Sequence, residues 1–323
     1  MRKLILICIL ALSPFLSKAQ YYWDFGGGVG VANPLGDMGG KELTRRNFVS
    51  DLKFQESRQA VNGFARYKIG QSFSIKAGIN YACLRGADSL STNPARHYRN
   101  LSFRNQTFEA NAVCQFYFYE VNDLGHTYRY KDNFRAFVGL GVGALYHNPK
   151  TWYVPPGGDG SWVALRPLMT ENHKYTKVTL TIPAEMGFYF TVNKHYRIGW
   201  NLTWVTTFSD YLDDVSTQYA DPATLGSSLA VALSDRTNHA AANTWGSHNG
   251  SPGFGNNFGY GNYTVDGVQH FNKRGDSTHN DSFLTSSVEF SYVIRGKSSL
   301  YRSHYSNLFS SHHGKHRKVR AKF

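Results

Sequence analysis

The sequence predicts an all-β protein, a transmembrane up-and-down antiparallel β-barrel of about eight strands with long extracellular loops. Three observations predict it. An export leader opens the chain. Apolar residues then recur at every second position, and no run approaches the ~20 apolar residues of a spanning helix. The connections between alternating segments switch regularly between short and long. Composition agrees: of 323 residues 18% are charged, below the roughly 25% of a soluble domain. Aromatic residues at 15% exclude a disordered chain, and 10 prolines are too few for a Pro-rich linker protein.

The leader comprises Arg2 and Lys3, an apolar stretch over residues 4–16, and Ser17, Lys18 and Ala19 before Gln20. This is the pattern of a secretory signal cleaved after Ala19. The expected organisation is therefore a signal peptide at 1–19, an outer-membrane barrel at 20–295 and a basic periplasmic C-terminal tail at 296–323. Losing Arg2, Lys3 and Lys18 lowers the formal charge from +13 to +10. Lys315, Arg317, Lys318, Arg320 and Lys322 concentrate charge in the tail, which reads as a docking element for an acidic partner or lipid headgroups. No nucleic-acid-binding signature accompanies it, so nucleic acid is not an expected partner.

The first strand, over 21–33, sets Trp23, Phe25, Val29 and Val31 against Asp24, Gly26, Gly28 and Gly30. The second sets Val61, Ala65, Tyr67 and Ile69 against Asn62, Phe64, Arg66 and Lys68, and a tight turn at 70–72 leads to the third. There Phe73, Ile75, Ala77, Ile79, Tyr81 and Cys83 oppose Ser74, Lys76, Gly78 and Asn80. The fourth opposes Phe108, Ala110, Ala112, Cys114, Phe116 and Phe118 to Glu109, Asn111, Gln115 and Tyr117. The pattern repeats from Phe134 to Tyr146 against Arg135, from Val178 to Phe190 against Glu185, from Ile198 to Trp204 against Arg197, and from Leu284 to Ile294 against Glu289. The links 34–60, 86–102, 148–175 and 209–282 are long and belong outside; the others are short and belong in the periplasm.

Alternation sends Asp24, Glu109, Glu185 and Glu289 into the lumen with Arg66, Lys68, Lys76, Arg135 and Arg197. Opposite charges at such close quarters compensate one another, and an eight-stranded lumen is just wide enough for side chains to fill, so a plug is expected in place of a channel. Pro183 cannot donate to a ladder, which predicts a bulge in the sixth strand. Cys83 and Cys114 are both expected to face lipid at opposite ends of the wall, beyond disulfide reach.

No constellation predicts catalysis, a cofactor, a metal or a small-molecule substrate. His304 and Ser306 lie in the tail, as do His312, His313 and His316, where basic surroundings repel cations. Arg274, Gly275 and Asp276 match an adhesion tripeptide but also read as a turn. In the last long loop Asp210, Tyr211, Asp213 and Asp214 concentrate carboxylates. The EF-hand spacing is absent, so pinning of the loop by capping and hydrogen bonds is expected in place of calcium. Asp221 and Pro222 are expected to start a short helix with Leu225, Leu229 and Leu233 on one stripe, and residues 247–250 and 255–260 read as mobile.

Several segments together resemble the PorG-like outer-membrane family of the type IX secretion system of gliding and pathogenic Bacteroidota. They are residues 25–30 with 33–37, 99–105, 160–168, 207–216 and 273–276, and the run from Asp210 to Val215 is the most specific. The resemblance implies an integral outer-membrane barrel, in contact with outer-membrane lipids, that helps to anchor a periplasmic ring of secretion proteins, and it implies no catalytic residues. The chain departs from the family in its large loop before Phe283 and in its long tail. The alternative reading is a surface ligand-binding or adhesion barrel acting through its extracellular loops.

Overall fold

A computed structural model describes residues 21–38, 53–69, 72–91, 93–122, 132–192, 195–250, 259–260, 262–265 and 268–295. The expected signal peptide and basic tail lie outside the described residues. Eight long strands make the wall: β1 (Tyr21–Leu35), β2 (Arg58–Lys68), β3 (Phe73–Ala87), β4 (Ser102–Asn122), β5 (Asp132–Tyr146), β8 (Val178–Val192), β9 (Tyr196–Thr207) and β12 (Ser282–Arg295). Each pairs antiparallel with its neighbour, and β1 pairs with both β2 and β12, so the sheet closes. Closure removes the unpaired edges that lipid would not tolerate.

The wall is built by the alternation the sequence shows. Val29, Ile79, Leu140, Val142 and Leu180 stand fully out, while Asp24, Arg66, Arg135 and Glu289 on the same strands are buried. Rings gather near the short-turn rim, with Trp23 5.0 Å from Tyr67, Phe73 5.2 Å from Phe116 and Phe134 4.9 Å from Phe190. Tyr81 and Phe108 make a contact of 5.1 Å near the other rim. From Phe118 to Phe108 the outward face runs ten residues, about 34 Å along a strand and about 25 Å in height at the usual tilt, the depth of an outer-membrane apolar band. Glycine permits close packing at Gly30, where a Cβ would lie 2.0 Å from the Ser286 carbonyl oxygen.

Two short hairpins extend the long loops: β6 (Lys150–Tyr153) with β7 (Ser161–Ala164), and β10 (Asn262–Val265) with β11 (Val268–Phe271). Among the described residues three α-helices join them, α1 (Pro94–Arg99), α2 (Ser228–Ser234) and α3 (His239–His248).

Four expectations need correction. No bulge forms at Pro183: the pairing of β5 with β8 omits the two positions around it and resumes in the same register, because a missing donor breaks bonds without inserting a residue. Among the described residues the register shifts lie at Tyr117/Tyr119, Val121/Asn122 and Tyr21/Trp23. Cys83 is buried, not lipid-facing, since Ala82, Cys83 and Leu84 are all covered and the wall there is packed on both faces; both cysteines are free. The helix expected from Asp221 begins at Ser228, capped by Ser227 through the Ala230 amide, while Asp221 closes a turn by accepting from the Ala223 amide. Residues 247–248 end α3, and residues 251–258 lie outside the described residues.

Candidate functional site

Inside the wall, the acids and bases fall into two linked clusters. Asp24 sits between two guanidinium groups, 2.8 Å from Arg66 and 2.6 Å from Arg197. Lys76 bridges Glu289 at 2.9 Å and Glu185 at 3.4 Å, and Arg66 reaches Glu289 at 3.6 Å, joining the clusters. Asn62 and Asn201 donate to Glu289, and Gln115 donates to Glu185 at 2.9 Å. Glu109 has neutral partners instead, accepting from Asn80 and Thr181 at 2.8 Å each and from Asn111 at 3.1 Å. Arg135 pairs with Glu120 near the short-turn rim. Lys68 is half-buried near the same rim.

Sequence reasoning read only part of the aromatic filling between these ions: it set Phe64 and Tyr117 inward and left out Phe137. Tyr117, Phe137 and Tyr189 form a buried cluster, and the guanidinium of Arg197 lies 4.4 Å over Tyr189, that of Arg135 5.0 Å over Tyr117 and that of Arg66 4.9 Å over Phe64. The parity that sends Arg135 inward also sends Phe137, so the signal was present. A void of about 20 Å³ beside Lys76, Glu109 and Glu185 has room for about one water. The lumen is filled.

Above the wall the long loops pack into a lid, and the Asp210–Val215 run is its hub. Asp213 Oδ2 accepts from the backbone amides of Asp37 (3.1 Å) and Met38 (3.0 Å), and its Oδ1 accepts from Val215. Asp214, held at φ +71°, a left-handed conformation that Asp tolerates better than most residues, accepts from Thr170 Oγ1 (2.5 Å) and Tyr175 OH (2.7 Å). The Tyr211 ring stacks on Tyr175 at 4.7 Å and on His173 at 5.1 Å. Asp210 is half-buried at the entry to the run.

Two buried arginines, whose part in the lid the sequence did not reveal, tie this hub to the other loops. Arg274 donates to Glu171 (2.9 Å), to the Asp214 carbonyl and to the Ser234 carbonyl. Its side chain is 1% exposed, so the Arg274–Gly275–Asp276 tripeptide cannot present its guanidinium to an adhesion partner. Arg99 forms a fork with Asp88 at 2.6 and 2.8 Å and donates to the Asp37 and Arg274 carbonyls. The segments 33–37, 99–105, 207–216 and 273–276 thus meet in one place. Their convergence was invisible in sequence because the bonds span 176 residues between Asp37 and Asp213 and 239 between Asp37 and Asp276.

Acids outnumber bases in the lid. Burial pushes the Asp213 carboxyl well up, and Asp37 and Asp210 push it further; Asp281 is raised by burial and then by Asp213, Asp210 and Asp37. Burial also lifts Asp214 to about 6, against the pull of Arg274, Thr170 and Tyr175. Asp281 Oδ1 and Asp213 Oδ2 lie 2.7 and 3.1 Å from where a Cβ on Gly36 would stand, so only glycine fits between them. Among the described residues no group of three or more His, Cys, Asp or Glu side chains is arranged to hold a metal ion.

No protein-family model matches the chain. No curated protein matches it. Among solved structures it is similar to the outer membrane protein OprG of Pseudomonas aeruginosa, with 10% identity over 85% of this chain and 97% of that one and a TM-score of 0.37. It is similar also to Ail, the attachment invasion locus protein of Yersinia pestis, with 7% identity over 84% and 99% and a TM-score of 0.33. Neisserial surface protein A gives 7% identity over 85% and 97%, with a TM-score of 0.32. A closed eight-stranded wall, apolar outside and ion-filled inside, makes this chain a β-barrel of the outer membrane.

Proposed function

We propose that the chain is a non-catalytic outer-membrane component of the type IX secretion system that anchors or positions its periplasmic ring. The observation that carries this reading is the lid: the segments on which the family resemblance rests are joined by direct hydrogen bonds around Asp213, Arg99 and Arg274. A filled lumen supports a role as an anchor over one as a conduit. The chain leaves β12 at Arg295, opposite Tyr21 on the short-turn rim, and on this reading that rim faces the periplasm and the tail would follow into it. Their bases, Lys315, Arg317, Lys318, Arg320 and Lys322, would steer an acidic surface of the ring onto the barrel.

The test is co-purification of ring proteins from membranes carrying the full chain or one ending at residue 295. Loss of capture, with the barrel still folded and secretion impaired, is expected. Unchanged capture removes the tail from the account; normal secretion in a strain lacking the whole protein removes the secretion role. In that second case the ordered lid favours the alternative, a surface ligand-binding barrel, to be sought by binding to intact cells.

A further inference from the structure

The lumen and lid pair their buried bases with acids, but one group of cations on the outer wall is left uncompensated. Arg85 lies opposite Arg104 across β3 and β4, and Arg104 lies opposite Lys150 across β4 and β6. Three bases therefore stand side by side on adjacent strands, about 5 Å apart from one strand to the next. Among the described residues none of the three forms an ion pair or donates a side-chain hydrogen bond; the Arg104 guanidinium lies 5.4 Å over the Trp162 ring. Like charges so placed repel each other, and among the described residues no acid offsets that repulsion.

Their position names what would. Strand alternation puts Arg104 on the same outward face as Phe108, and Phe108 pairs with Tyr81 on one side and Tyr146 on the other. This aromatic row is where the lipid-facing wall ends. Arg104 stands four residues beyond it, about 14 Å along the strand and roughly 10 Å in height, at the level of outer-leaflet headgroups. Pairing of β4 with β5 stops at Phe108 and Tyr146, and beyond it β4 pairs with the β6–β7 hairpin at Arg104 and Lys150, leaving a gap in the ladder between those two points. The gap is a cleft of about 290 Å³ lined by Arg104, Gln106, Asn148, Lys150 and Trp162, with Phe108 and Tyr146 at its foot.

We propose that this cleft binds the phosphorylated headgroup of an outer-leaflet glycolipid of the lipid A class. Arg104 and Lys150 hold one phosphate, Arg85 adds charge from the next strand, and the amides of Gln106 and Asn148 can bond sugar hydroxyls. A free phosphate would satisfy the same cations. The lipid is favoured because two of the residues that line the cleft, Phe108 and Tyr146, belong to the exposed apolar face of the wall, which would hold the acyl chains of the same molecule.

The full chain, reconstituted in nanodiscs of zwitterionic lipid, is titrated with diphosphoryl lipid A, with the same lipid after dephosphorylation, and with inorganic phosphate. The double variant R104Q/K150Q is expected to bind diphosphoryl lipid A ten- to thirty-fold more weakly, at about 1 kcal/mol per base near a charged surface. Removing the phosphates from the lipid should cost the wild type a similar factor, and inorganic phosphate should bind far more weakly. Lys177→Gln, an exposed lysine outside the cleft, should change binding less than twofold. Retained heat-modifiable migration shows that a variant is folded, the Arg104 contact with Trp162 being the one that R104Q removes from the protein itself. Equal affinity of wild type and double variant overturns the proposal, as does equal affinity for the two lipids. Inorganic phosphate binding as tightly as the lipid overturns the lipid assignment.

Discussion

Asp24 shows what a single lumen side chain carries. Replacing it with Asn leaves Arg66 and Arg197 buried without their shared carboxylate, and loss of one partner of a buried ion pair typically costs about 3–5 kcal/mol. Urea unfolding in detergent should show a loss of that size, and a midpoint unchanged from wild type would mean the network is not stabilising. In the lid the signs reverse. Asp214 titrates near 6 in the folded protein, above the ~3.9 of an unfolded Asp, and Asp213 and Asp281 are raised too. Groups that bind protons more tightly when folded stabilise the fold as pH falls, here from above 6 towards 4, and that gain is lost as pH rises back through 6. Protease resistance of the 209–282 loop should therefore be greater at pH 5 than at pH 7.5. Asp281→Asn, which removes the charge beside Asp213, should raise resistance at pH 7.5 and flatten the profile; a steeper profile would place the titration elsewhere. The lumen acids were legible from parity alone, because side-chain direction on a strand has period two. The partners of Asp213 were not, because each arrives from a different loop.

At the scale of elements, strands were easier to read than the segments between them. The eight wall strands follow from alternation, and β4 merely runs past its expected end to Asn122. The helices were harder. Asp221 and Pro222 carry a start signal, yet Ser227 is the residue that caps α2, since its hydroxyl reaches the Ala230 amide and lets Ala230 and Leu233 face the lid. Nor was α3 foreseen, although Asn238 caps it and three alanines follow. Both helices exist because the lid gives them something to bury against, which no local pattern announces. Ser227→Ala should remove about 1 kcal/mol from α2, seen as roughly fivefold faster amide exchange at Ala230 and Val231. Asp221→Ala should leave those amides unchanged. The reverse outcome would return the helix start to Asp221.

The whole molecule is a closed cylinder with a packed interior and an ordered cap. Reconstituted in planar bilayers it should show no steady conductance, because the lumen void holds about one water and is walled by paired ions. Stable ohmic steps in the wild type would mean that the interior opens. The closed wall was readable from the sequence because every strand repeats one rule; the cap was not, because it depends on contacts between ends of the chain. Those contacts also constrain the order of assembly. Asp37 follows β1, while its partner Asp213 arrives about two thirds of the way along the chain and Asp276 and Asp281 only in the last sixth. The early strands can zip one after another, but the cap has no partners to bond until β12 has come round to meet β1. Acquired resistance of the cap to an external protease is thus a timer for completed insertion, and a chain stalled before its final strand would reach the surface bare-headed.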